Sequence, residues 1–167
     1  MSDSVDILLN EWADERPDLD TTALGIVVRV QLVAKLLADS AERALARFGL
    51  KHWEYDVLSA LRRQGDPPQL SASDLARESM LTSGTITTRI DGLEKRGFVE
   101  RHPDPDDRRA ISVRLTTAGR ATIEEAIAVR VQVAEDQLAL LSGTERDSLS
   151  AALRKVLMAM ADRKDAA

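Results

Sequence analysis

The stretch Ser83-Gly-Thr-Ile-Thr-Thr-Arg-Ile-Asp-Gly-Leu-Glu-Lys-Arg-Gly-Phe-Val-Glu-Arg101, followed by Asp104-Pro-Asp-Asp-Arg-Arg109 and Ile111-Ser-Val-Arg-Leu115, decides how this chain folds. On a helical wheel Ile86, Ile90 and Leu93 gather on one side. This predicts a helix from Thr82 or Ser83 to about Arg96, with Gly97 as its stop. Its other faces carry Gly84, Thr85, Thr87, Thr88, Asp91 and Gly92. Phe98–His102 and Ala110–Leu115 then read as two strands, because Ile111, Val113 and Leu115 alternate with Ser112 and Arg114. Pro103-Asp-Pro-Asp-Asp107 between them is turn chemistry, so the strands form a hairpin with a charged tip at Arg108 and Arg109.

Working outward, Ser71-Ala-Ser-Asp74 starts a short helix ending near Glu78, and Trp53–Arg63 reads as a helix broken by Gly65-Asp-Pro-Pro68. Short helix, tight turn, helix and hairpin make a winged helix-turn-helix. In that arrangement the second helix enters the major groove and a basic hairpin reaches the backbone or minor groove of a duplex. The residues suited to DNA contact are Ser71, Ser83, Gly84, Thr85, Thr87, Thr88, Arg89, Arg108 and Arg109. A Ser/Thr-rich helix alone fits an ordinary surface helix equally well; the arginine tip downstream favours the DNA reading. Asp104, Asp106 and Asp107 leave open which wing arginine enters the minor groove.

The flanks are helical. Residues 4–15 (Val5, Leu8, Leu9, Trp12) form a helix closed by Pro17. Asp20 is placed to cap a long helix reaching about Phe48, with Ile26, Val30, Val33, Leu37, Ala41 and Ala44 on its stripe and Gly49 at its end. Thr116 opens a helix to about Leu141, Ser142-Gly143 breaks it, and Thr144-Glu-Arg-Asp147 caps a last helix bearing Leu149, Leu153, Val156, Leu157 and Met160. These stripes exceed what the small middle module can cover, so they are expected to pack on a second copy of the chain. The expected fold is mainly α with a small β-hairpin wing. Residues 1–49 and 118–167 form the dimerisation region and 50–117 the winged lobe.

Composition narrows the function classes. The 167 residues are 44% hydrophobic and 31% charged, an ordinary globular balance. The net charge of −5 argues against a polyanionic partner only until its distribution is seen. Residues 1–20 hold seven acids against Arg16, whereas 108–120 hold Arg108, Arg109, Arg114 and Arg120 with no acid. There is no cysteine, and His52 and His102 have no metal-ligand spacing, so neither metal nor cofactor is expected. No Gly-rich phosphate loop or Ser/His/Asp arrangement suggests an enzyme. A protein-only adaptor would lack the wing arginines. No apolar run spans a bilayer and the start lacks a basic signal-peptide stretch, so a cytoplasmic protein with no membrane partner is expected.

The runs Leu81–Arg101, Asp104–Arg109 and Val113-Arg-Leu-Thr-Thr-Ala-Gly119 resemble the recognition helix and wing of MarR-family regulators, a match spanning about residues 50–120. The resemblance implies a triangular helical homodimer with a winged lobe at each lower corner. It implies a repressor that binds a palindromic double-stranded DNA operator and releases it for a small ligand. Trp12-Ala-Asp-Glu-Arg-Pro-Asp-Leu-Asp20, Tyr55-Asp-Val-Leu-Ser-Ala-Leu-Arg-Arg63 and Ser83–Asp91 further resemble the urate-responsive members. By that likeness Trp12, Asp56, Arg89 and Arg101 would surround a small anionic effector such as urate, with another aromatic or carboxylate anion as the alternative.

The residues themselves leave each role open. Trp12 equally suits helix packing. Asp56, at the edge of the stripe Trp53, Val57, Ala60 and Leu61, wants a partner, and an ion pair with Arg89 would satisfy it. Arg89 falls between the core stripe and the groove-facing side of its helix. Arg101, expected to end the first wing strand, suits a phosphate or the ligand.

Overall fold

The computed structural model describes residues 2–65, 69–79, 83–103 and 111–165, with positions 83, 84 and 163–165 described by backbone alone. Among the described residues it has seven helices and one small sheet. Helix α1, Ser4–Glu15, starts in a capping box: the Asp3 carboxylate accepts the Val5 and Asp6 N–H groups, and Asp6 accepts that of Asp3. Helix α2, Thr22–Ala46, carries Arg29, whose guanidinium donates to Asp3 at 2.8 Å and Asp6 at 2.5 Å. Gly25 lets the two helices close, since a Cβ there would lie 2.7 Å from Leu9 Cδ1. Thr21, not Asp20, occupies the cap position of α2; Asp20 still accepts the Thr22 N–H at 2.9 Å. Gly49 ends the helix region at φ 63°.

Helix α3, His52–Arg62, is followed by a strand the sequence did not suggest, β1, Gln69–Ser71. Helices α4, Ala72–Glu78, and α5, Ser83–Lys95, lead to β2, Val99–Pro103, and β3, Ile111–Leu115. The expected two-stranded hairpin is thus part of a three-stranded antiparallel sheet in the order β1-β3-β2, with Gln69 opposite Arg114 and Arg101 opposite Val113. Burial in β3 departs from the expected alternation. Val113 is buried but so is Ser112, while Ile111 is exposed, because β3 is the central strand and its first residue lies at the rim. Helices α6, Thr117–Gln137, and α7, Gly143–Asp165, complete the chain. The break before α7 is stabilised by Ser142 rather than Thr144, its backbone N–H and hydroxyl both donating to Glu145.

One core joins Leu45 and Leu50 with Val57, Leu58 and Leu61 of α3, Leu75 of α4, Ile86, Ile90 and Leu93 of α5, Val99 and Val113 of the sheet, and Ile123 and Ala126 of α6. Outside it, α2 and α7 expose apolar side chains along most of their length, among them Leu36 at 66% and Leu157 at 71%. No helix among the described residues is long and apolar enough to cross a membrane.

Candidate DNA interface and effector site

The core fixes how α5 is presented. Ile86, Ile90 and Leu93 are buried, which turns Thr85, Thr87 and Thr88 outward to solvent. Ser83 and Gly84 form the first turn of this helix. Ser71 is engaged locally, because its Oγ accepts the Asp74 N–H at 3.1 Å, capping α4, and donates to the Asp74 carboxylate at 2.7 Å. A phosphate at Ser71 would have to take over that hydroxyl proton. Arg108 and Arg109 lie outside the described residues, as does the turn at 80–82.

The corner that holds α5 is built from charge and stacking. Glu54, 3% exposed, accepts the Lys51 N–H at 2.8 Å and Arg96 Nη1 at 2.6 Å. Arg96 also donates to the Gly49 carbonyl at 2.9 Å and lies 4.7 Å from the Phe98 ring centre. The end of α5 is thereby tied to the start of α3.

Beneath α5, the Arg89 guanidinium lies 5.0 Å from the Trp53 ring centre. One turn on, Gly92 faces the indole, and a Cβ there would meet it in ordinary van der Waals contact, 3.9 Å from Trp53 Cη2. Arg89 Nη1 is buried without a hydrogen-bond partner among the described residues. Asp56, 37% exposed, is 3.6 Å from His52 Nε2 one turn earlier on α3. Desolvation pushes its carboxyl above the usual range, opposed by the charges of His52, Arg130, Arg89 and Arg63. The group within 4 Å of the Asp56 carboxylate is therefore the His52 ring, an ion pair only when that ring is protonated, and Arg89 acts on it at longer range.

Arg101 is the third of five residues in β2 rather than its end. Its guanidinium donates to Asp91 at 2.6 Å and to Glu94, both on α5, so it stitches the wing to the helix. Trp12 is 43% exposed on α1, where with Leu8, Glu11 and Glu15 it lines a shallow depression of about 260 Å³. Within one chain the structure brings Asp56 and Arg89 to the same α3–α5 junction, sets Arg101 against the carboxylates of α5, and leaves Trp12 beside two glutamates. The indole beside Arg89 is Trp53. In the sequence Trp53 stands only on the core stripe and His52 is weighed only as a metal ligand, while Tyr55 and Arg130 carry no assigned role. The spacing of His52, Trp53 and Asp56, three and four residues apart on one helix, is the signal that points to His52 and Trp53, whereas no spacing along the chain points to Arg130. Among the described residues no group of three His, Asp or Glu side chains is placed to hold a metal ion.

The sequence model of the MarR family matches residues 48–110. The chain is 32% identical over 149 residues to the HTH-type transcriptional regulator PecS of Dickeya dadantii, covering 89% of this chain and 90% of that one. Its fold matches the MarR-family regulator AbsC of Streptomyces coelicolor with a TM-score of 0.76, at 24% identity over 86% of this chain and 97% of that one. It also matches BpsR of Bordetella bronchiseptica, whose DNA binding is regulated by 6-hydroxynicotinic acid, with a TM-score of 0.69, 26% identity and coverage of 83% and 95%. The chain is therefore a transcriptional regulator, not an enzyme, and belongs to the MarR family of winged helix-turn-helix proteins.

Proposed function

We propose that this chain is a homodimeric repressor that binds a palindromic operator through α5 and the wing, and that a small planar anion of the urate type releases it. The observation that carries the reading is the double-sided placement of α5. Its hydroxyl face is open to a duplex, while Arg89 stands beneath it against Trp53, within electrostatic reach of Asp56. A ligand that recruits Arg89 acts directly on the helix that meets DNA. The uncovered apolar faces of α2 and α7 favour the dimer, because a second copy burying them would remove a large exposed hydrophobic surface. Two recognition helices must then lie about one DNA turn apart, and an effector that binds an incompatible spacing more tightly shifts the population away from DNA.

Among the residues proposed for the effector, Asp56 and Arg89 are already neighbours. Arg101 would have to leave Asp91 and Glu94, and Trp12 would have to reach the site from α1. The BpsR likeness favours a second reading in which the effector is an aromatic carboxylate rather than urate. Titrating urate against a complex of the protein with its own upstream DNA tests the proposal by mobility shift. Wild type should release DNA, and Asp56→Ala and Arg89→Ala should each shift the midpoint by about tenfold, the weight of one charge-assisted contact. Equal midpoints in all three proteins would remove these residues from the sensor, and a monomer by light scattering would end the dimer reading.

A further inference from the structure

We infer that Arg130 of α6 is a third cation of the effector site, binding the planar anion jointly with Arg89 across Asp56. This rests on the effector reading above and adds a residue and a helix to it. Arg89 and Arg130 come from different helices but stand in matching relation to α3. Arg89 lies against Trp53 at 5.0 Å and Arg130 against Tyr55 at 5.8 Å from the ring centres. Each has one buried N–H group without a hydrogen-bond partner among the described residues, Nη1 of Arg89 and Nε of Arg130. Buried donors of a charged group without an acceptor are unusual, and two of them near one carboxylate call for further acceptor oxygens. Both guanidiniums act electrostatically on Asp56, Arg130 ahead of Arg89.

The chemistry fits a flat ligand with oxygens on two edges. Two guanidiniums present planar donor edges, and the α3 rings supply apolar faces. Arg130 also borders a depression of about 160 Å³ with Leu37, Ala134, Gln137 and Leu138. Because Arg130 sits on α6, a ligand held by both arginines would join the recognition helix to a helix leading to the exposed α7.

The test is calorimetric titration of the full chain with urate and, separately, salicylate. Wild type, Arg130→Met, Arg130→Lys and the control Arg43→Met, exposed on α2, are compared after circular dichroism confirms folding. Arg130→Met should weaken binding about tenfold or more, Arg130→Lys should recover part of it, and Arg43→Met should bind as wild type. Wild-type affinity in Arg130→Met overturns the inference, as does equal weakening in Arg43→Met, which would mark a general charge effect. If Arg130→Met does not fold, Arg130→Lys decides, with unchanged affinity overturning the assignment. Urate binding that ignores Arg130 leaves the effector reading intact and removes this residue. Arg130-dependent binding of salicylate alone does the reverse for urate, and a wild type that binds neither anion overturns both.

Discussion

Replacing Gly119 with alanine sets two physical rules against each other. Gly119 is the third residue of α6, and in an open helix the change would stabilise by about 1 kcal/mol through helix propensity. Here the first turn of α6 is pressed onto the corner between α5 and β2. Thr116 Oγ1 accepts the Gly119 N–H at 2.9 Å and donates to the Gly97 carbonyl at 2.6 Å, while the Thr116 N–H donates to the Phe98 carbonyl at 3.1 Å. A Cβ on Gly119 would lie 2.8 Å from the Phe98 carbonyl carbon, 3.1 Å from its Cα and closer still to its oxygen. These are backbone atoms, so the corner itself must move. Overpacking of this kind costs about 1–3 kcal/mol, and weakening the two hydrogen bonds that Thr116 donates to the Gly97 and Phe98 carbonyls adds about 0.5–1.5 kcal/mol each. Less the propensity gain, the net loss is about 1–5 kcal/mol, a fall in Tm of roughly 2–20 °C for a chain of this length. Thermal denaturation followed by circular dichroism at fixed protomer concentration measures it. Gly92→Ala, whose Cβ meets nothing nearer than Trp53 at 3.9 Å, is the control and should gain about 0.5–1 kcal/mol. A Gly119→Ala protein as stable as wild type would refute the reasoning.

Two further perturbations probe the junction under α5. Glu54→Ala removes the acceptor of Arg96 and of the Lys51 N–H; because Arg96 is partly solvated, the loss should be about 2–3 kcal/mol in urea denaturation, and a loss below about 0.5 kcal/mol would show the clamp to be idle. Asp56→Asn tests the raised carboxyl: the native state holds that proton more tightly than the unfolded chain, so ionised Asp56 subtracts stability as pH climbs from the ordinary value near 3.8 through the higher folded value. The stability of Asp56→Asn relative to wild type should therefore increase between about pH 4 and about pH 7, and a difference that stays flat would place Asp56 in an unperturbed setting.

Much of the fold was legible because local chemistry sets helix ends. Gly49 and Gly97 sit at φ 63° and 72° where a helix stop was expected, and Ser71 and Thr116 cap the helices they precede. Ile86, Ile90 and Leu93 recur at helical spacing, and all three are buried. Strand β1 was not legible. Gln69–Ser71 is too short for a period, and what makes it a strand is its partner more than forty residues on, with Arg114 Nε donating to Gln69 Oε1 at 2.7 Å. The burial of Ser112 was hidden for the same reason, since a strand flanked on both sides obeys its neighbours rather than its own alternation.

The site shows where reading along the chain stops working. Arg89 was legible, because its wheel position sets it between the core and the groove-facing side of one helix. Arg101 could have been read further, since Asp91 and Glu94 are three residues apart on α5 and present two carboxylates to whatever strand packs there. Arg130 could not. It stands on a helix with little amphipathic pattern, and only the crossing of α6 over α3 gives it a meaning by setting it against Tyr55 and near Asp56. Two arginines more than forty residues apart thus act on one aspartate, and α3, which carries that aspartate, is clamped through Glu54 and Arg96 to the end of α5. Two contacts thus connect α3 with α5, the Arg89–Trp53 stack beneath the helix and the Glu54–Arg96 ion pair at its end. Disabling only one of them should blunt the response to an effector without abolishing it.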